Sequence, residues 1–577
     1  MPFPIELVWA TALLYVFYLM MTIPLGSLLL RWIYPSLPPQ LQLLSSFGIS
    51  IAVLSGEVSL LAAANFSPMT IRTTLAATVF FAFAGWVTTS ECRALLNRRS
   101  AKPLALLGAY LLLTVSTAAY PAANIRDISP DAVDRLTGLP IDNMLPYNFS
   151  RYLLSDINPN RIDVVPGWRA GERGPVGGLI SAATFYVFGI EERNGWLEVT
   201  PGYYFIYHTL LSFLNLLSLF AAYCIAQKHF GSRAALLCCI MAMTSYFYFV
   251  NALFSWPKLL SAYYILTALL LSEMTSKRSK LLVGGFLALG PLSHDSALFS
   301  TIAYFALLTT LSLWQHRNLR NLISTLSLPL VGFFVTYLPW LLFKTVYTKP
   351  SPRLLYMHLF CDTREGIEGT PFSSYLEAYL AKYSWLEIVG IKLQNLWYPF
   401  DVTALFDRIS LYWHSPLTLI NFIASDTFLR FLYSVGIPLF LIFLLSLWRL
   451  RREPGYRPLL IYLAVGFGTL PFVAAISGCS NNTVNHIWAY PAFLAVAVAI
   501  GAVVERSGPL LNLIFAVGCA LNSVVAVIYI HLHSHLRPFI HGSSGYFLTQ
   551  ATAVLTLFLL SGYLYLAADD SEERADG

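Results

Sequence analysis

The stretch VGGLISAATFYVFGI, from Val176 to Ile190, decides how this chain is folded. It is apolar, so it invites a count as a membrane crossing. Three small residues among its aliphatics and aromatics, Gly177, Gly178 and Ser181, make it a short and weak one. The charges on either side settle the reading. Arg93, Arg98, Arg99 and Lys102 cluster in one connection between apolar runs, and Lys277, Arg278 and Lys280 in a second. Arg317 and Arg320 mark a third, and Arg449, Arg451, Arg452 and Arg457 a fourth. Basic residues in short connections collect on the cytoplasmic side. All four clusters share that side only if 176–190 does not cross. A crossing there would put the connection holding Lys228 and Arg233 outside and invert every later one. The stretch is therefore expected to lie flat on the outer membrane surface as an interfacial helix.

Composition makes the bilayer the solvent for most of the chain. Of 577 residues, 57% are hydrophobic and 11% charged, where a soluble domain carries roughly 25% charged residues. Apolar runs of about 20 residues recur, each long enough to span about 30 Å of hydrocarbon. The sequence predicts an all-α polytopic membrane protein of about fifteen crossings with two large non-cytoplasmic loops. The net charge of +6 lies largely in short connections, where it reports orientation and not nucleic-acid binding. Cys224, Cys238, Cys239 and Cys519 sit inside apolar runs as small hydrophobes. Cys361 and Cys479 fall in outer connections and can pair, and no spacing resembles a zinc site.

The order of parts follows. Residues 1–102 hold N-terminal extra crossings, and Ile5–Leu30 lacks a basic leader and a cleavage pattern, so it reads as a retained span. Residues 103–343 form the core and contain the first outer loop, 121–202, with short helices expected at 142–154 and 176–190. The second outer loop is 344–430, and further crossings occupy 431–567. Among the expected crossings are Arg233–Val250, Phe431–Trp448, Ile487–Val504 and Thr549–Leu566. The N-terminus is expected outside, and the acidic tail 568–577 in the cytoplasm.

Chemistry concentrates in the first loop, which reads IDNMLPYNFSRYLLSD from Ile141 to Asp156. Leu145, Phe149, Tyr152 and Leu153 follow helical spacing and give a short amphipathic helix suited to a membrane surface. Asp142 stands at its start. An aspartate there is a favoured N-cap, and it is also a carboxylate held at headgroup depth. Then come NPNRIDVVPGWRAGERGP and the apolar 176–190 helix, which ends in FGIEERNG.

This succession resembles the first outer loop of the GT-C membrane glycosyltransferases, notably the protein O-mannosyltransferases and the lipid A aminoarabinose transferases. The matching positions are Asp142, Asn143 where a second acid is common, Ser150-Arg151, Arg173-Gly174-Pro175 and Phe188-Gly189. The likeness continues through the alternation of short spans to about residue 345. It implies an inverting transfer of a sugar from a polyprenyl phosphate to an acceptor hydroxyl on the non-cytoplasmic face, with Asp142 as base. The acceptor would be a glycan, lipid or protein, the setting a bacterial inner membrane with its site facing the periplasm (the lumen in a eukaryote). A positioned carboxylate that accepts the attacking hydroxyl's proton supplies about 10²–10⁴-fold. The phosphate is already a good leaving group; what it needs is cations at the low-dielectric interface.

Candidate cations are Arg173, whose guanidinium presents a fixed fork to phosphate, then Lys258 in SWPK, His294 in the turn PLSHDSA, and His486 opening HIWAYP. Lys258 can equally snorkel to headgroups, and its position often carries an acid in the family. His294 can be a plain turn histidine, with Asp295 available to orient it. Arg151 can pair with Asp156 or a headgroup. Asp362, Trp397 and Tyr398 in the second loop join Asn143, Arg151 and Asp156 as candidate contacts to sugar or acceptor, although interfacial aromatics are common anyway. No DxD-type pair occurs, so neither a metal nor any other cofactor is assigned. The rival reading is a transporter or flippase of a lipid-linked sugar. It lacks the internal repeat such proteins commonly show, and its best support is the intramembrane acid Glu57.

Overall fold

A computed structural model of the chain describes residues 5–90, 94–96, 98–119, 128–129, 133, 144–154, 173–190, 201–316, 318–345, 353–361 and 371–535, a few of them by backbone alone. Every regular element among the described residues is a helix, with no strand. The N-terminal group is α1 (Ile5–Thr22), α2 (Pro24–Ile33), α3 (Pro39–Ala63), α4 (Pro68–Thr88) and α5 (Arg98–Ala118). Two short helices of the first loop follow, α6 (Met144–Leu154) and α7 (Val176–Phe188). The core continues through α8 (Pro201–Phe230), α9 (Ser232–Thr244), α10 (Tyr246–Leu253), α11 (Lys258–Ser272), α12 (Lys277–Ser293), α13 (Ala297–His316) and α14 (Leu319–Phe343). The second loop is built of α15 (Arg353–Phe360), α16 (Phe372–Lys382), α17 (Trp385–Trp397), α18 (Thr403–Tyr412) and α19 (Pro416–Leu429). Then come α20 (Phe431–Val435), α21 (Ile437–Arg449), α22 (Tyr456–Ile476), α23 (Asn485–Trp488), α24 (Tyr490–Glu505) and α25 (Pro509–His535).

Among the described residues, nine helices are long and apolar enough to cross a membrane, counting α1 and α2 as one, and ten if a bent pair is one span. Helix α8 is the axis: its apolar window is wholly buried, and α5, α9, α11 and α24 pack around it. Several expected crossings are broken, each with a local cause. Arg233–Val250 is not one straight helix; α9 and α10 bend by 72° at Ser245, whose hydroxyl donates to the Ser434 carbonyl at 2.8 Å. Phe431–Trp448 breaks at Gly436, which takes φ +87°, open to glycine at little cost. Ile487–Val504 breaks at Ala489, two residues before Pro491. Thr549–Leu566 lies outside the described residues.

The two ends of the bundle gather different residues. At one end Glu273 accepts from Lys228 (2.7 Å), His229 (3.0 Å) and the Tyr462 hydroxyl (2.6 Å), which ties α8, α11 and α22 together. Those contacts hold the Glu273 carboxyl below its ordinary range in spite of burial. Arg278 donates to the Ile33 carbonyl at 2.8 Å and Arg449 to the Ser507 hydroxyl at 3.2 Å at this same end. These connections carry two of the four basic clusters on which the sidedness reading rests.

Helix α7 sits at the other end. At its start, Gly174 presses on the carbonyls of Pro291 and Leu292, where α12 finishes. At its finish, Gly189 (φ +68°) has the Arg72 guanidinium, near the start of α4, at its back. Both tips thus meet the same end of the spans, and at about 1.5 Å per residue its 13 residues are too short to cross. The expected membrane-surface setting needs correction, however. Every residue from Val176 to Tyr186 is buried, because α3 and α4 flank α7 on one side and α6 on another. Helix α6 is likewise buried over most of its length. The N-terminal spans therefore wall in the first-loop helices, so that protein takes the place of lipid around them. Among its described residues the second loop holds five α-helices.

Candidate active site

The end of the bundle that holds α7 also holds Trp256, and three side chains gather at its indole: Lys258 from its own segment, and Arg173 and His294 from two others. The Lys258 ammonium stands 3.4 Å from the ring centroid, the Arg173 guanidinium 5.7 Å, and the His294 ring packs edge-on at 5.4 Å. Cations over an indole face are attracted by its quadrupole. Each arrives for a local reason. In FSWPK, Ser255 adopts φ +59°, unusual for a residue with a Cβ, and turns the chain sharply between α10 and α11. Asn215 of α8 clamps that turn from inside: its Nδ2 donates to the Trp256 carbonyl at 2.8 Å and its Oδ1 accepts from the Leu260 N–H at 3.1 Å. Asn251 donates to the Phe247 carbonyl and accepts from the Tyr490 hydroxyl at 2.7 Å, bringing α24 alongside. Lys258 is almost fully buried.

Arg173 comes with the Arg-Gly-Pro turn. A Cβ on Gly174 would lie 2.8 Å from the Pro291 oxygen and closer still to that of Leu292, so glycine is what lets the turn seat against the end of α12. His294 caps that end. Its Nδ1 accepts from the Ser296 N–H at 3.3 Å and the Ser296 hydroxyl at 2.8 Å, which leaves the proton on Nε2. Ser296 is therefore the partner that orients the imidazole at Nδ1. Asp295 instead lies within electrostatic reach of Lys344 and Arg173, and burial raises its carboxyl pKa although both cations oppose that.

The other expected residues divide. Arg151 is buried with its guanidinium 5.5 Å over the Tyr147 ring, inside the protein rather than among headgroups. Tyr398 is buried and faces Arg430, 4.8 Å from its ring, in a second polar group with Asp426 and Asp401. Trp397 is 62% exposed and turned outward, so the two neighbours face different surroundings. Asp142, Asn143, Asp156 and Asp362 lie outside the described residues; α6 begins two positions after Asp142. His486 falls in α23, with its side chain outside the described set.

Sequence reasoning missed Trp256, Asn215 and His358. The His358 imidazole, on α15, is held below its ordinary pKa by burial and by the charges of Arg173 and Lys258, which sets it beside the same cluster. Cys361, three residues on, is bonded to Cys479, with a Cα–Cα distance of 5.4 Å. The pairing that the sequence left open is present. Among the described residues no three of His, Cys, Asp and Glu gather as a metal site.

No protein-family model and no curated protein matches the sequence. Three solved structures are similar. ArnT from Cupriavidus metallidurans bound to undecaprenyl phosphate aligns at TM-score 0.49 and 14% identity, covering 81% of this chain and 71% of that one. The same protein in its apo state gives 0.48 and 14%, over 82% and 76%. The archaeal oligosaccharyltransferase AglB from Archaeoglobus fulgidus, with an inhibitory peptide and a dolichol-phosphate, gives 0.38 and 13%, over 76% and 56%.

Proposed function

We propose that this chain is an inverting glycosyltransferase of the GT-C kind, taking a sugar from a polyprenyl-phosphate donor to an acceptor hydroxyl. The observation that carries the reading is the convergence of Arg173, Lys258 and His294 on Trp256 at one end of an apolar bundle. Charge buried at membrane depth is costly and marks function. At a separation of roughly 9 Å, the most their distances to the shared ring allow, Lys258 and Arg173 repel by about 2 kcal/mol at an effective dielectric of 20. A phosphate whose prenyl tail stays in the hydrocarbon would relieve the repulsion and keep its own apolar part solvated by lipid.

Asp142 is the base in this reading. Pro146, four residues after it, and Pro257, beside Lys258, would both touch a Cβ on Gly177, at 3.4 Å each. The start of α6 and the cation cluster are therefore neighbours across α7. The acceptor hydroxyl attacks the anomeric carbon, its proton passes to the Asp142 carboxylate, and the bond from that carbon to the phosphate oxygen breaks with inversion. Arg173, Lys258 and His294 hold the released phosphate.

The disulfide supports a non-cytoplasmic site, since such bonds persist in oxidising compartments, and it agrees with the basic connections gathering at the opposite end. Transport has less behind it. Glu57 accepts from Thr78 at 2.9 Å between α3 and α4, held in a local pair within the N-terminal spans. The test is Asp142→Asn in purified protein with a radiolabelled polyprenyl-phosphate sugar and a hydroxyl acceptor. The variant should bind donor and transfer nothing; full transfer would sink the base assignment.

A further inference from the structure

Helix α17 divides into three sectors, and each meets different surroundings. It begins on a capping box: the Ser384 N–H donates to the Glu387 carboxylate at 2.7 Å, and Ser384 Oγ accepts from the Glu387 N–H at 3.4 Å. Its 13 residues then run about 20 Å, too short to cross a bilayer. One sector faces the protein, with Ile391 and Asn395 buried and Ile388 and Lys392 half-buried. A second carries Glu387 and Gln394, both exposed. The third is apolar and uncovered: Trp385, Leu386, Val389, Leu393, Leu396 and Trp397 are all exposed, Leu386 to 85%. At about 100° per residue these six fall within one arc of about 120°, with a tryptophan at either end of the helix.

The inner sector fixes the depth at which α17 lies. It is fastened to the strap SGCSNNT, Ser477 to Thr483, between α22 and α23. Lys392 donates to the Ser477 carbonyl at 2.6 Å. Asn395 donates to the carbonyls of Ser477 (3.3 Å) and Cys479 (2.8 Å) and accepts from the Asn482 N–H at 3.0 Å. The Thr483 hydroxyl donates to the Asn395 carbonyl. The strap also holds α15, through the Gly478 N–H to the His358 carbonyl at 2.6 Å and the Cys361–Cys479 bond. Ser477 follows directly on α22, which starts beside Arg457 at the basic end of the bundle and runs 21 residues to Ile476. That length is about 32 Å, close to the thickness of the hydrocarbon core. Helix α17 therefore lies across the end of a crossing, where hydrocarbon gives way to headgroups. Pro471 and Ala475 are exposed near that end, so the lipid-facing surface of α22 runs up to the level of α17.

We propose that α17 is an interfacial helix seated in the leaflet opposite the basic connections, its apolar arc occupied by the lipids of that leaflet. The order of sectors fits a membrane surface: Trp385, Leu386, Val389, Leu393, Leu396 and Trp397 enter about 5–10 Å into the headgroup–acyl boundary, Glu387 and Gln394 meet water, and Asn395 meets the bundle. Tryptophans at both ends suit that depth. The surface role that the sequence suggested for 176–190 thus passes to a helix of the second loop, and Trp397 is assigned to lipid, not to sugar. The second loop is then held twice, by the strap and by the bilayer. None of this depends on the sugar-transfer reading.

The test uses the full-length protein in phosphatidylcholine liposomes, in a Cys92→Ser background, with an environment-sensitive fluorophore on Leu386→Cys, Leu393→Cys or Gln394→Cys. The native free cysteines among the described residues are buried, and the parent chain gives the background label. Labels at 386 and 393 should emit to the blue and be quenched by nitroxide-bearing phosphatidylcholine. A nitroxide near the glycerol end of the acyl chain should quench them more than one near its tip. The label at 394 should emit to the red and be quenched by aqueous iodide. All three sites are exposed, so folding should survive, checked by the Cys361–Cys479 bond on a non-reducing gel. Iodide quenching at 386 and 393 without lipid quenching would overturn the proposal. Shielding from both quenchers would overturn it in favour of a protein cover, such as a second copy of the chain. Equal lipid quenching at 394 would overturn the division into sectors.

Discussion

Gly174→Ala asks the most of the site with the least chemistry. The change adds one methyl group and leaves every charge in place. The new Cβ would stand 2.8 Å from the Pro291 oxygen and nearer still to that of Leu292, where ordinary contact begins at 3.4 Å. Both partners are backbone at the end of α12, which is pinned by His294, so neither swings aside as a side-chain tip can. The turn must lift by roughly 0.6–1 Å, and overpacking of this kind typically costs about 1–3 kcal/mol. Arg173 rides on that turn. A misplacement near 1 Å in a reacting constellation costs about a hundredfold, so kcat/KM for sugar transfer should fall about tenfold to a hundredfold. Gly390→Ala is the control. Nothing lies within 4 Å of its Cβ in α17, and alanine is the better helix former, so activity should hold and the melting temperature should stay level or rise. The assay is initial-rate transfer from a radiolabelled polyprenyl-phosphate sugar. Wild-type kcat/KM in Gly174→Ala, with the protein folded, would show that the seating of the turn does not set the position of Arg173.

Three other outcomes follow from the geometry. Asn215→Leu removes the donor to the Trp256 carbonyl and the acceptor of the Leu260 N–H; each orphaned buried group costs about 1–3 kcal/mol, so the melting temperature in detergent should drop by several degrees, and an unchanged melt would refute the clamp. Arg173→Lys keeps the charge and loses the planar fork; donor affinity should fall about tenfold, measured as KM, and equal KM values would mean that point charge alone suffices. The folded His358 imidazole titrates below its unfolded value of about 6.5. Below that pH the unfolded chain therefore takes a proton the folded one refuses, and stability is lost as pH falls through about 6.5. A melting-temperature series from pH 7.5 to 5.5 should decline less steeply for His358→Gln than for wild type, and parallel declines would remove His358 as a cause.

The sequence by itself determined the membrane class, the approximate spans and the distribution of basic connections. Each depends on composition within one segment, and a bilayer imposes that composition locally: a run is apolar enough for hydrocarbon or it is not. It also decided that 176–190 does not cross, because parity of charge is a sum over the chain and needs no packing. Arg173, Lys258 and His294 could be picked out singly for a related reason, since cations beside apolar runs stand out. Their convergence could not. Trp256 reads like any interfacial tryptophan until two other segments, 121 residues apart from Arg173 to His294, fold onto it beside Lys258.

Tertiary structure alone decided that α7 is buried against α3, α4 and α6, because an apolar helix looks the same in sequence whether lipid or protein covers it. It alone gave Gly174 its purpose, which is an approach to a backbone 117 residues away. It also drew His358 and Cys361 onto the Ser477–Thr483 strap, a pairing at a separation of 118 residues that no local pattern encodes. Spans are specified by the solvent they face; the site is specified by which span ends pack together, and that is a property of the whole bundle.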